Sequence, residues 1–490
     1  MKKILSVMLS LILFAWLVLP AFAENGDGIT IVNPYENVDW ENYNRYKADL
    51  HSHTNATDGE NTLKEMVEKH YELGYDILAI SDHGTTSYSW TEEDVVPTMK
   101  TLAMFRKGYL PLEALSESGT AANGNSYTVT QINGDDYYAQ DGGQSMLRVP
   151  YAIENNPTSF NNAHVNSFFV DYGNGILGGT SDYITPISNV DALGGISVIN
   201  HPGEYSNARD EVYTADAYDR SNLYYNYVIE KFEDLLMSYD SCIGIDINSK
   251  GDNRTRFDRK LWDILLTDLA PYGRNVFAVA TSDAHNLNIV NSGYITALMP
   301  ENTSEALQNC LANGEFLAGS RYIGNLDELI IYASMLEGTS LGAEIQAAAD
   351  AIESEIETNG KQSTRFTFDE DAEAAYISEI YVDDSENTIT ISGEGILCVR
   401  WVSQGETVGQ GASIDIDDCG AESYIRAEII GEGGITYTQA FLIDDGSTES
   451  YSSSFHDFSW LAGILDPIVE FLSVFDNLFG SILKLIGILH

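Results

Sequence analysis

Positive charge is scarce in this sequence. Lysine and arginine together number 25 against 74 aspartates and glutamates, which gives a formal net charge of −49 at pH 7 over 490 residues. So acidic a surface repels polyphosphate backbones, and a local basic groove would be needed to offset that repulsion. We therefore expect no duplex nucleic-acid partner.

Cysteine is also scarce, with four in the chain: Cys242, Cys310, Cys398 and Cys419. Four cysteines exclude a disulfide-rich scaffold, although outside the cell they could still pair in three ways. Cys398 and Cys419 fall in one predicted β domain and are the better disulfide candidates, with free buried thiols as the alternative. A hydrophobic fraction of 44% with only 11 prolines excludes collagen-like and disordered chains and indicates a globular protein of two or three domains.

The N-terminus has the three parts of a signal peptide. Two lysines precede an apolar run at 4–19, and Ala21, Phe22 and Ala23 satisfy the small-x-small rule of signal peptidase. We predict a signal peptide at 1–23 and export of the protein to the extracellular space or the cell envelope. An uncleaved membrane anchor is the alternative, because the run is just long enough to span a bilayer.

Strand and helix patterns alternate in the middle of the chain and then give way to strands. Alternation of apolar runs with helical periodicity is typical of α/β folds. Later period-two runs, such as TITIS and ILCVRWV, favour an immunoglobulin-like β-sandwich, although 343–360 could instead be a helix. We predict a polar lead at 24–44, an α/β domain at 45–321 with an insertion at about 110–149, a β-sandwich at 325–445, a linker at 446–456 and an apolar amphipathic helix at 460–489.

Histidine is scarce as well, and its distribution points to the chemistry. Five of the nine histidines directly follow apolar strand-like runs, where (β/α) barrels collect their catalytic side chains. Imidazole and carboxylate groups at converging strand ends are ligands for zinc, manganese or iron. The motifs are DLHSHTNATDG with His51, His53 and Asp58, AISDHG with Asp82 and His83, INHPG with His201, and ATSDAH with Asp283 and His285.

These four motifs, in this order, resemble those of the PHP superfamily, the polymerase and histidinol phosphatase domain, over about residues 45–321. The resemblance implies a distorted (β/α)7 barrel holding two or three divalent ions of zinc, manganese or iron. It also implies a bridging Glu and a following His, which this chain offers as Glu154 and His164. The implied ligand sets are His51, His53 and Asp283 for one ion, Asp58, His83 and His285 for another, and Glu154, His164 and His201 for a middle ion, with Glu154 bridging the first and middle ions.

Two further kinds of side chain are expected at such a site. Asp82 precedes His83 and is expected to orient its imidazole. The loop SKGDNRTRFDRK concentrates four basic residues in a chain that has few, and Arg254 or Arg256 is expected to clamp the outer oxygens of a substrate phosphate. A solvated loop with local salt bridges is the alternative.

The motif set predicts a metal-dependent phosphatase or phosphodiesterase for a small phosphoester, such as a nucleotide or a sugar phosphate. A carbamate, ester or amide hydrolase of PHP type would need the same activated water. A non-catalytic surface-binding protein, with the barrel as scaffold and the β domain binding a cell-surface glycan, is the alternative outside enzymes. A complete ligand set argues against that alternative.

The C-terminal thirty residues are nearly all apolar. Their polar residues recur at steps of three or four, and Asp466 followed by Pro467 predicts the start of a helix of about 20 residues. Charged residues within the stretch disfavour spanning a bilayer. We expect residues 460–489 to contact a membrane surface or to self-associate, with docking on the barrel as the alternative.

Overall fold

The computed structural model describes residues 29–92, 114–155, 163–174, 183–206, 208, 216–447, 450–453 and 455. The signal peptide predicted at 1–23 and the helix predicted at 460–489 lie outside the described residues. Among the described helices, none is both long and apolar enough to cross a bilayer.

The described chain is a mixed α/β protein. Its strands are β1 (Thr30–Val32), β2 (Asn44–Asp49), β3 (Ile77–Leu78), β4 (Ser118–Thr120), β5 (Ser126–Ile132), β6 (Asp135–Gln140), β7 (Met146–Arg148), β8 (Ile153–Asn155), β9 (Val165–Phe168), β10 (Ile196–Ile199), β11 (Cys242–Asn248), β12 (Phe277–Ala280), β13 (Gly293–Met299), β14 (Phe316–Ser320), β15 (Tyr322–Ile323), β16 (Phe366–Thr367), β17 (Tyr376–Asp383), β18 (Thr388–Glu394), β19 (Cys398–Ser403), β20 (Glu406–Gln410), β21 (Ser413–Asp415), β22 (Tyr424–Gly431), β23 (Gly434–Tyr437) and β24 (Phe441–Asp444). Its α-helices are α1 (Leu63–Glu72), α2 (Ile184–Leu193), α3 (Pro202–Tyr205), α4 (Leu223–Ser238), α5 (Asp258–Leu269), α6 (Ser304–Asn313), α7 (Leu326–Met335), α8 (Ser340–Asn359) and α9 (Ile416–Cys419), and 3-10 turns lie at Lys250–Asp252 and Ala270–Tyr272.

Seven strands form a closed circuit of backbone pairing. β2 pairs in parallel with β3, and a second sheet has the order β12-β11-β10-β9-β8. Two isolated parallel bridges, Ser52 with Ala284 and His83 with Glu154, join the two sheets at both edges. β9 runs antiparallel to β8 and β10, so the circuit departs from the all-parallel repeat of a (β/α)7 barrel. The bridges nevertheless bring the carboxyl ends of β2, β3 and β12 together.

The inside of this circuit is packed with small and branched apolar side chains. One buried cluster takes a residue from each of β2, β3, β10, β11 and β12, namely Ala48, Ile77, Val198, Ile243 and Val279. Close packing leaves such strands little freedom to shift against one another. The side chains just beyond the strand ends are therefore held at fixed separations.

Helix α1 begins with Thr62 as its N-cap residue. The Thr62 hydroxyl accepts the Glu65 N–H at 3.2 Å, and the Glu65 carboxylate accepts the Thr62 N–H at 2.8 Å, which is a reciprocal capping box. Gly74 ends this segment in the left-handed region, with φ 74°. The inner face of α1 carries His70, which contacts Asp49 at the end of β2.

Strands β4 to β7 form an antiparallel meander in the described part of the segment predicted as an insertion. β7 pairs in parallel with β3, so the meander extends the sheet that contains β2. Residues 114–149 are thus tied to the central circuit through backbone hydrogen bonds.

The chain beyond residue 321 differs from the separate β-sandwich that the sequence predicts. Residues 326–335 and 340–359 are helices, the second of which matches the helical alternative for 343–360. β23 pairs with β14, so the C-terminal strands continue the large sheet across the predicted boundary at 325. β17, β18 and β21 form a small sheet whose apolar side packs against β19 and β22.

The predicted polar lead is likewise part of the sheet. β1 pairs antiparallel with β24, and Tyr35 is buried, with its hydroxyl donating to the Phe316 carbonyl at 3.2 Å and accepting the Gln439 N–H at 2.7 Å. Any segment with free backbone N–H and C=O groups can pair with an open strand edge. The hydropathy of the segment does not reveal such pairing.

All four cysteines are free thiols, so the candidate disulfide between Cys398 and Cys419 is absent from the structure. Cys398 packs against the largest apolar cluster, whereas Cys419 packs against the cluster between the C-terminal sheets. The two thiols contact different cores, although β19 with Cys398 and α9 with Cys419 are close in sequence.

Candidate metal centre

Nine predicted ligand side chains converge at the joined strand ends, seven from the four motifs and two, Glu154 and His164, from the family resemblance. His51 and His53 follow β2, His83 follows β3, His201 follows β10, and Asp283 and His285 follow β12, while Glu154 lies in β8 and His164 immediately precedes β9. Asp58 is carried by the turn between β2 and α1.

Glu154 lies at the middle of the cluster and is 1% exposed. Its carboxylate is surrounded by five imidazoles. Oε2 lies 3.2 Å from His51 Nε2, 3.2 Å from His53 Nε2 and 3.2 Å from His83 Nδ1, and Oε1 lies 2.7 Å from His164 Nδ1 and 3.2 Å from His201 Nε2.

Asp283 is the second buried carboxylate. Its two oxygens divide the neighbouring imidazoles between them. Oδ1 lies 3.4 Å from His51 Nε2, 3.3 Å from His53 Nε2 and 3.3 Å from His285 Nδ1, and Oδ2 lies 3.4 Å from His201 Nε2.

Asp58 lies on the open side of the cluster, with a third of its side chain exposed. Oδ2 lies 3.1 Å from His285 Nε2 and 3.4 Å from His83 Nε2. The adjacent Gly59 packs tightly on the ligand loop, since a Cβ there would lie 2.7 Å from the carbonyl oxygen of His53. The glycine therefore permits the turn that carries Asp58 back over the cluster.

Ligand atoms of these residues fall into four overlapping groups, each compact enough for one ion. The groups are His53, Asp58, His83 and His285; His51, His53 and Asp283; His51, Glu154 and His201; and His83, Glu154 and His164. Two of these groups contain the predicted ligand sets, His51, His53 and Asp283 in one and Asp58, His83 and His285 in the other. His164 and His201, predicted to share the middle ion, instead fall in different groups that share Glu154.

The electrostatics follow from burial of opposite charges. Burial opposes ionisation of Glu154, but the imidazoles of His164 and His51 hold its pKa well below the usual range. Burial likewise opposes the charge on Asp283, whereas His51 and Lys250 hold its pKa well below that of a free aspartate. Both carboxylates are therefore anionic at neutral pH.

The pKa values of two of the imidazoles, those of His164 and His53, are shifted in opposite directions. Burial lowers the pKa of His164 to about 4, so its ring is neutral at pH 7. For His53, burial disfavours the charge, but hydrogen bonds to Asp283 and Glu154 raise its pKa well above the ordinary value. A cation and a proton would thus compete for the His53 ring.

The donor set fits divalent cations. His51 Nε2 and His53 Nε2 lie 3.0 Å apart, so two nitrogen lone pairs point toward one place. Several buried atoms have charged neighbours but no well-aligned hydrogen bond, among them both carboxylate oxygens of Asp283 and both ring nitrogens of His201. Neutral nitrogen and anionic oxygen together are the ligands preferred by zinc, manganese and iron.

Two of the cluster residues have strained backbones. His201 has φ 27° and Asp283 has φ 44°, both in the left-handed region that non-glycine residues rarely adopt. His201 lies two residues past the end of β10, and Asp283 lies three residues past the end of β12. Such strain persists where the surrounding structure enforces it, typically at functional sites.

Asp82 does not orient His83 in the predicted way. Its carboxylate accepts the Thr54 N–H at 2.8 Å, the Thr54 hydroxyl at 2.5 Å and the Thr57 hydroxyl at 2.6 Å. Asp82 therefore fixes the turn that carries Asp58. The error arose because adjacency in sequence places two successive side chains on opposite sides of an extended chain.

Arg256 is directed away from the cluster. It is 2% exposed, and its guanidinium donates to the carbonyl oxygens of Gln362 at 3.3 Å and Asn253 at 2.8 Å. Arg254, the other predicted clamp, remains at the surface and forms an ion pair with Glu204. Of the two predicted arginines, the structure thus brings only Arg254 toward the site.

Lys250 and Glu204 are site residues that sequence reasoning missed. Lys250 Nζ lies 2.9 Å from Asp283 Oδ2 and 3.0 Å from Glu204 Oε2, and Glu204 Oε2 lies 3.6 Å from His201 Nδ1. Burial opposes the charge on Glu204, yet Lys250 and His201 lower its pKa to about 2. The signal was available, because Lys250 lies two residues beyond the carboxyl end of β11 and Glu204 lies three residues after His201.

No protein-family model and no curated protein sequence matches the chain. Similar solved structures include a two-domain protein from Bacteroides vulgatus containing a predicted PHP-like metal-dependent phosphoesterase, with 13% identity over 86% of this chain and 91% of that one and a TM-score of 0.35. Another is a lesion-specific endonuclease from Pyrococcus furiosus, with 12% identity over 55% and 56% of the two chains and a TM-score of 0.29.

A third similar structure is an amidohydrolase from Chromobacterium violaceum with bound sulfate and no metal, with 14% identity over 49% and 87% of the chains and a TM-score of 0.24. The chain resembles the PHP superfamily. The argument for a PHP-like centre rests on the four motifs and on the single cluster that their side chains form, with Glu154 at its middle.

Proposed function

We propose that this protein is an exported, metal-dependent phosphoesterase acting on a small phosphoester. The observation that carries the proposal is the convergence of six imidazoles and three carboxylates on one cluster, with Lys250 and Arg254 beside it. The cluster opens to solvent near Asp58 and His285, where the side chains are about a third exposed. A substrate can therefore approach the ligands from that side.

Two of the proposed ligand sets correspond to groups in the structure: His51, His53 and Asp283 would hold one ion, and Asp58, His83 and His285 a second. Glu154 would help to hold a third ion, either with His51 and His201 or with His83 and His164. Bound divalent ions would supply an acidified water as nucleophile and would neutralise charge developing on the phosphoryl oxygens. Zinc, manganese and iron all suit this mixture of nitrogen and oxygen ligands.

The chain itself contributes binding and orientation. Lys250 Nζ and the Arg254 guanidinium both contact the Glu204 carboxylate, which lies between them. A phosphoryl group has oxygens that could replace that carboxylate as the acceptor, with one positive charge on each side. Because burial keeps the His164 ring neutral at pH 7, this ring could bind a metal ion without first losing a proton.

The two cations favour a phosphoester over a carbamate, ester or amide. A neutral carbonyl substrate has no outer oxyanion for Lys250 and Arg254 to bind, whereas a phosphate monoester carries two negative charges. Inorganic phosphate should accordingly inhibit a phosphoesterase at millimolar concentration and leave a carbamate or amide hydrolase nearly unaffected.

The test uses purified mature protein with Mn²⁺, Zn²⁺ or Fe²⁺ and a panel of generic phosphomonoesters, phosphodiesters, carboxylic esters and amides. Metal-dependent release of phosphate or alcohol from a phosphoester is expected. Bound metal without hydrolysis of any phosphoester would contradict the proposal, and protein without metal after growth in metal-replete medium would favour a binding function.

We further propose that the protein acts at the cell envelope and that residues 460–489 attach it to a membrane surface or to a second copy. The proposal rests on the apolar composition of this segment and on the signal-peptide pattern at 1–23. Removing residues 456–490 should shift the protein from the membrane fraction or from an oligomer to a soluble monomer while hydrolysis continues. Unchanged sedimentation and unchanged membrane partition would overturn it.

A further inference from the structure

Asp49, the last residue of β2, is fully buried beneath the metal centre and was not among the predicted site residues. Its Oδ1 accepts the backbone N–H of His51 at 3.1 Å and the backbone N–H of Ser282 at 3.2 Å. Its Oδ2 accepts the Ser282 hydroxyl. One carboxylate thus binds the backbone of both segments that carry the ligand group His51, His53 and Asp283.

Ser282 strengthens this connection. Its hydroxyl oxygen accepts the Ala284 N–H at 3.2 Å, and it lies 3.2 Å from the carbonyl oxygen of His51. The His53 N–H in turn donates to the Ala284 carbonyl at 2.9 Å. The segments 51–53 and 282–284 are therefore fastened to each other directly and through Asp49.

His70 holds Asp49 from the opposite side. This histidine lies on the inner face of α1, is fully buried and takes no part in the ligand groups. Its Nδ1 lies 2.8 Å from the Met66 carbonyl oxygen, and its Nε2 lies 3.1 Å from Asp49 Oδ2. A carbonyl oxygen only accepts, so Nδ1 carries a hydrogen, and Nε2 lies within hydrogen-bond distance of the Asp49 carboxylate.

We propose that Asp49 is a positioning residue for the metal centre and that His70 is the partner that orients its carboxylate. Asp49 sets the separation between the His51 backbone and the backbone beside Asp283, and hence the distance between two ligands of one ion. The inference rests on the proposed metal-dependent function, since it concerns the geometry of the same ligands. Groups that orient metal ligands typically change metal affinity about 10- to 100-fold when they are replaced.

The alternative is a buried polar pair that stabilises the fold and nothing more. The two roles differ in what they predict for a variant that still folds. A purely structural pair would lower the unfolding temperature and leave the metal site of the surviving folded protein unchanged. A positioning pair would alter the ligand field and the metal affinity of that folded protein.

The test compares Asp49→Asn, His70→Leu and His70→Gln with the full chain. Glu428→Gln is the matched control, because Glu428 is a fully buried, ion-paired carboxylate in β22 with none of the metal ligands among its hydrogen-bond partners. Each protein is loaded with Co²⁺, and the visible absorption spectrum, the Co²⁺ dissociation constant and the melting temperature are recorded.

Asp49→Asn and His70→Leu should weaken Co²⁺ binding about 10-fold or more and shift the cobalt absorption band. His70→Gln should restore most of the affinity, because its side-chain amide can form a hydrogen bond with the Asp49 carboxylate that leucine cannot form. Glu428→Gln should melt earlier with an unchanged cobalt spectrum.

The inference is overturned if Asp49→Asn and His70→Leu, folded by circular dichroism, retain the wild-type cobalt spectrum and dissociation constant. It is equally overturned if His70→Gln is no better than His70→Leu. Failure of the wild-type chain itself to bind Co²⁺ would instead contradict the proposed function, so the two failures are distinguishable. If Asp49→Asn does not fold, the two His70 variants decide the matter.

Discussion

Two regions of this molecule bury several ionisable groups, and they do so in opposite ways. The C-terminal ion-pair network, made of Asp263, Arg400, Arg426 and Glu428, joins α5 to the strands β19 and β22. Arg426 donates to Asp263 Oδ1 at 2.7 Å and to Oδ2 at 2.8 Å, and a further nitrogen donates to Glu428 at 2.7 Å. Arg400 donates to the other Glu428 oxygen at 2.9 Å.

Charge in this network is balanced by the protein alone. Two guanidinium groups face two carboxylates. Burial opposes the charge on Glu428, but Arg400 and Arg426 outweigh burial and lower the pKa of Glu428 to about 2. The metal cluster has three carboxylates among six imidazoles, and the oxygens of Asp283 and the ring nitrogens of His201 make ionic contacts without a well-aligned hydrogen bond. A network that is complete without a cation stabilises the fold, whereas a cluster that is incomplete without one is suited to bind it.

The largest expected effect is in the metal cluster. His51→Ala and Asp283→Ala each remove a ligand from a group of three, so metal content should fall by at least one ion per chain. Turnover should fall on the order of 10³-fold, because charge stabilisation at the reacting oxygens is lost. Elemental analysis and steady-state kinetics check this, and full metal with full rate in His51→Ala would refute the site assignment.

The corresponding change in the C-terminal network should affect stability. Arg426→Ala leaves Asp263 and one oxygen of Glu428 buried without their guanidinium, which should cost about 3 to 5 kcal/mol of unfolding free energy. Metal content and the turnover of the folded fraction should remain at wild-type levels. Urea unfolding and metal analysis are the measurements, and a loss of metal in folded Arg426→Ala would erase the distinction between the two regions.

Replacing a cationic side chain beside the cluster should have a smaller effect, on substrate binding. Arg254→Ala should raise KM for a phosphoester about 10-fold, because it removes one charge-assisted contact of about 1.4 kcal/mol, and metal content should not change. Arg256→Gln is the matched control, since its side chain binds backbone carbonyls in the interior. Equal changes in KM for the two variants would show that Arg254 has no specific role in substrate binding.

The smallest expected effect is the release of a proton from His53 when a metal ion binds. In the metal-free chain, hydrogen bonds to Asp283 and Glu154 raise the pKa of His53, so its ring holds a proton at neutral pH. Metal binding must displace that proton, and affinity should therefore increase as pH rises. Calorimetric titration in two buffers of different ionisation enthalpy should show release of about one proton per chain at pH 7, and no release would contradict this protonation state.

For His53 the sign of the stability effect is also fixed. A raised pKa in the folded chain stabilises the metal-free protein below the pKa of an unfolded histidine, and this contribution is lost as pH rises through the folded value. Glu154 and Asp283, whose pKa values are lowered, stabilise the chain above the ordinary carboxylate range and cease to do so as pH falls.

Much of the candidate centre could be predicted from the sequence because its chemistry is local. His51 and His53 are two residues apart at a strand end, and Asp283 and His285 repeat that spacing. Glu154 and His164 came from the resemblance to a known family, since neither lies in a recognisable local pattern. Lys250 and Glu204 were missed because their role arises only from their contact with each other and with Asp283.

The sequence by itself determined the ligand chemistry, the start of α1 and the general α/β alternation, since each depends on residues within a few positions of one another. Only the tertiary structure decided which histidines share Glu154 and that Arg256 binds backbone carbonyls away from the cluster. It also decided that β23 pairs with β14 and that Asp49 links two ligand-bearing strand ends. These outcomes depend on distances between segments far apart in the chain. Such distances are set by how the strands pair and pack, which a local pattern of residue types leaves open.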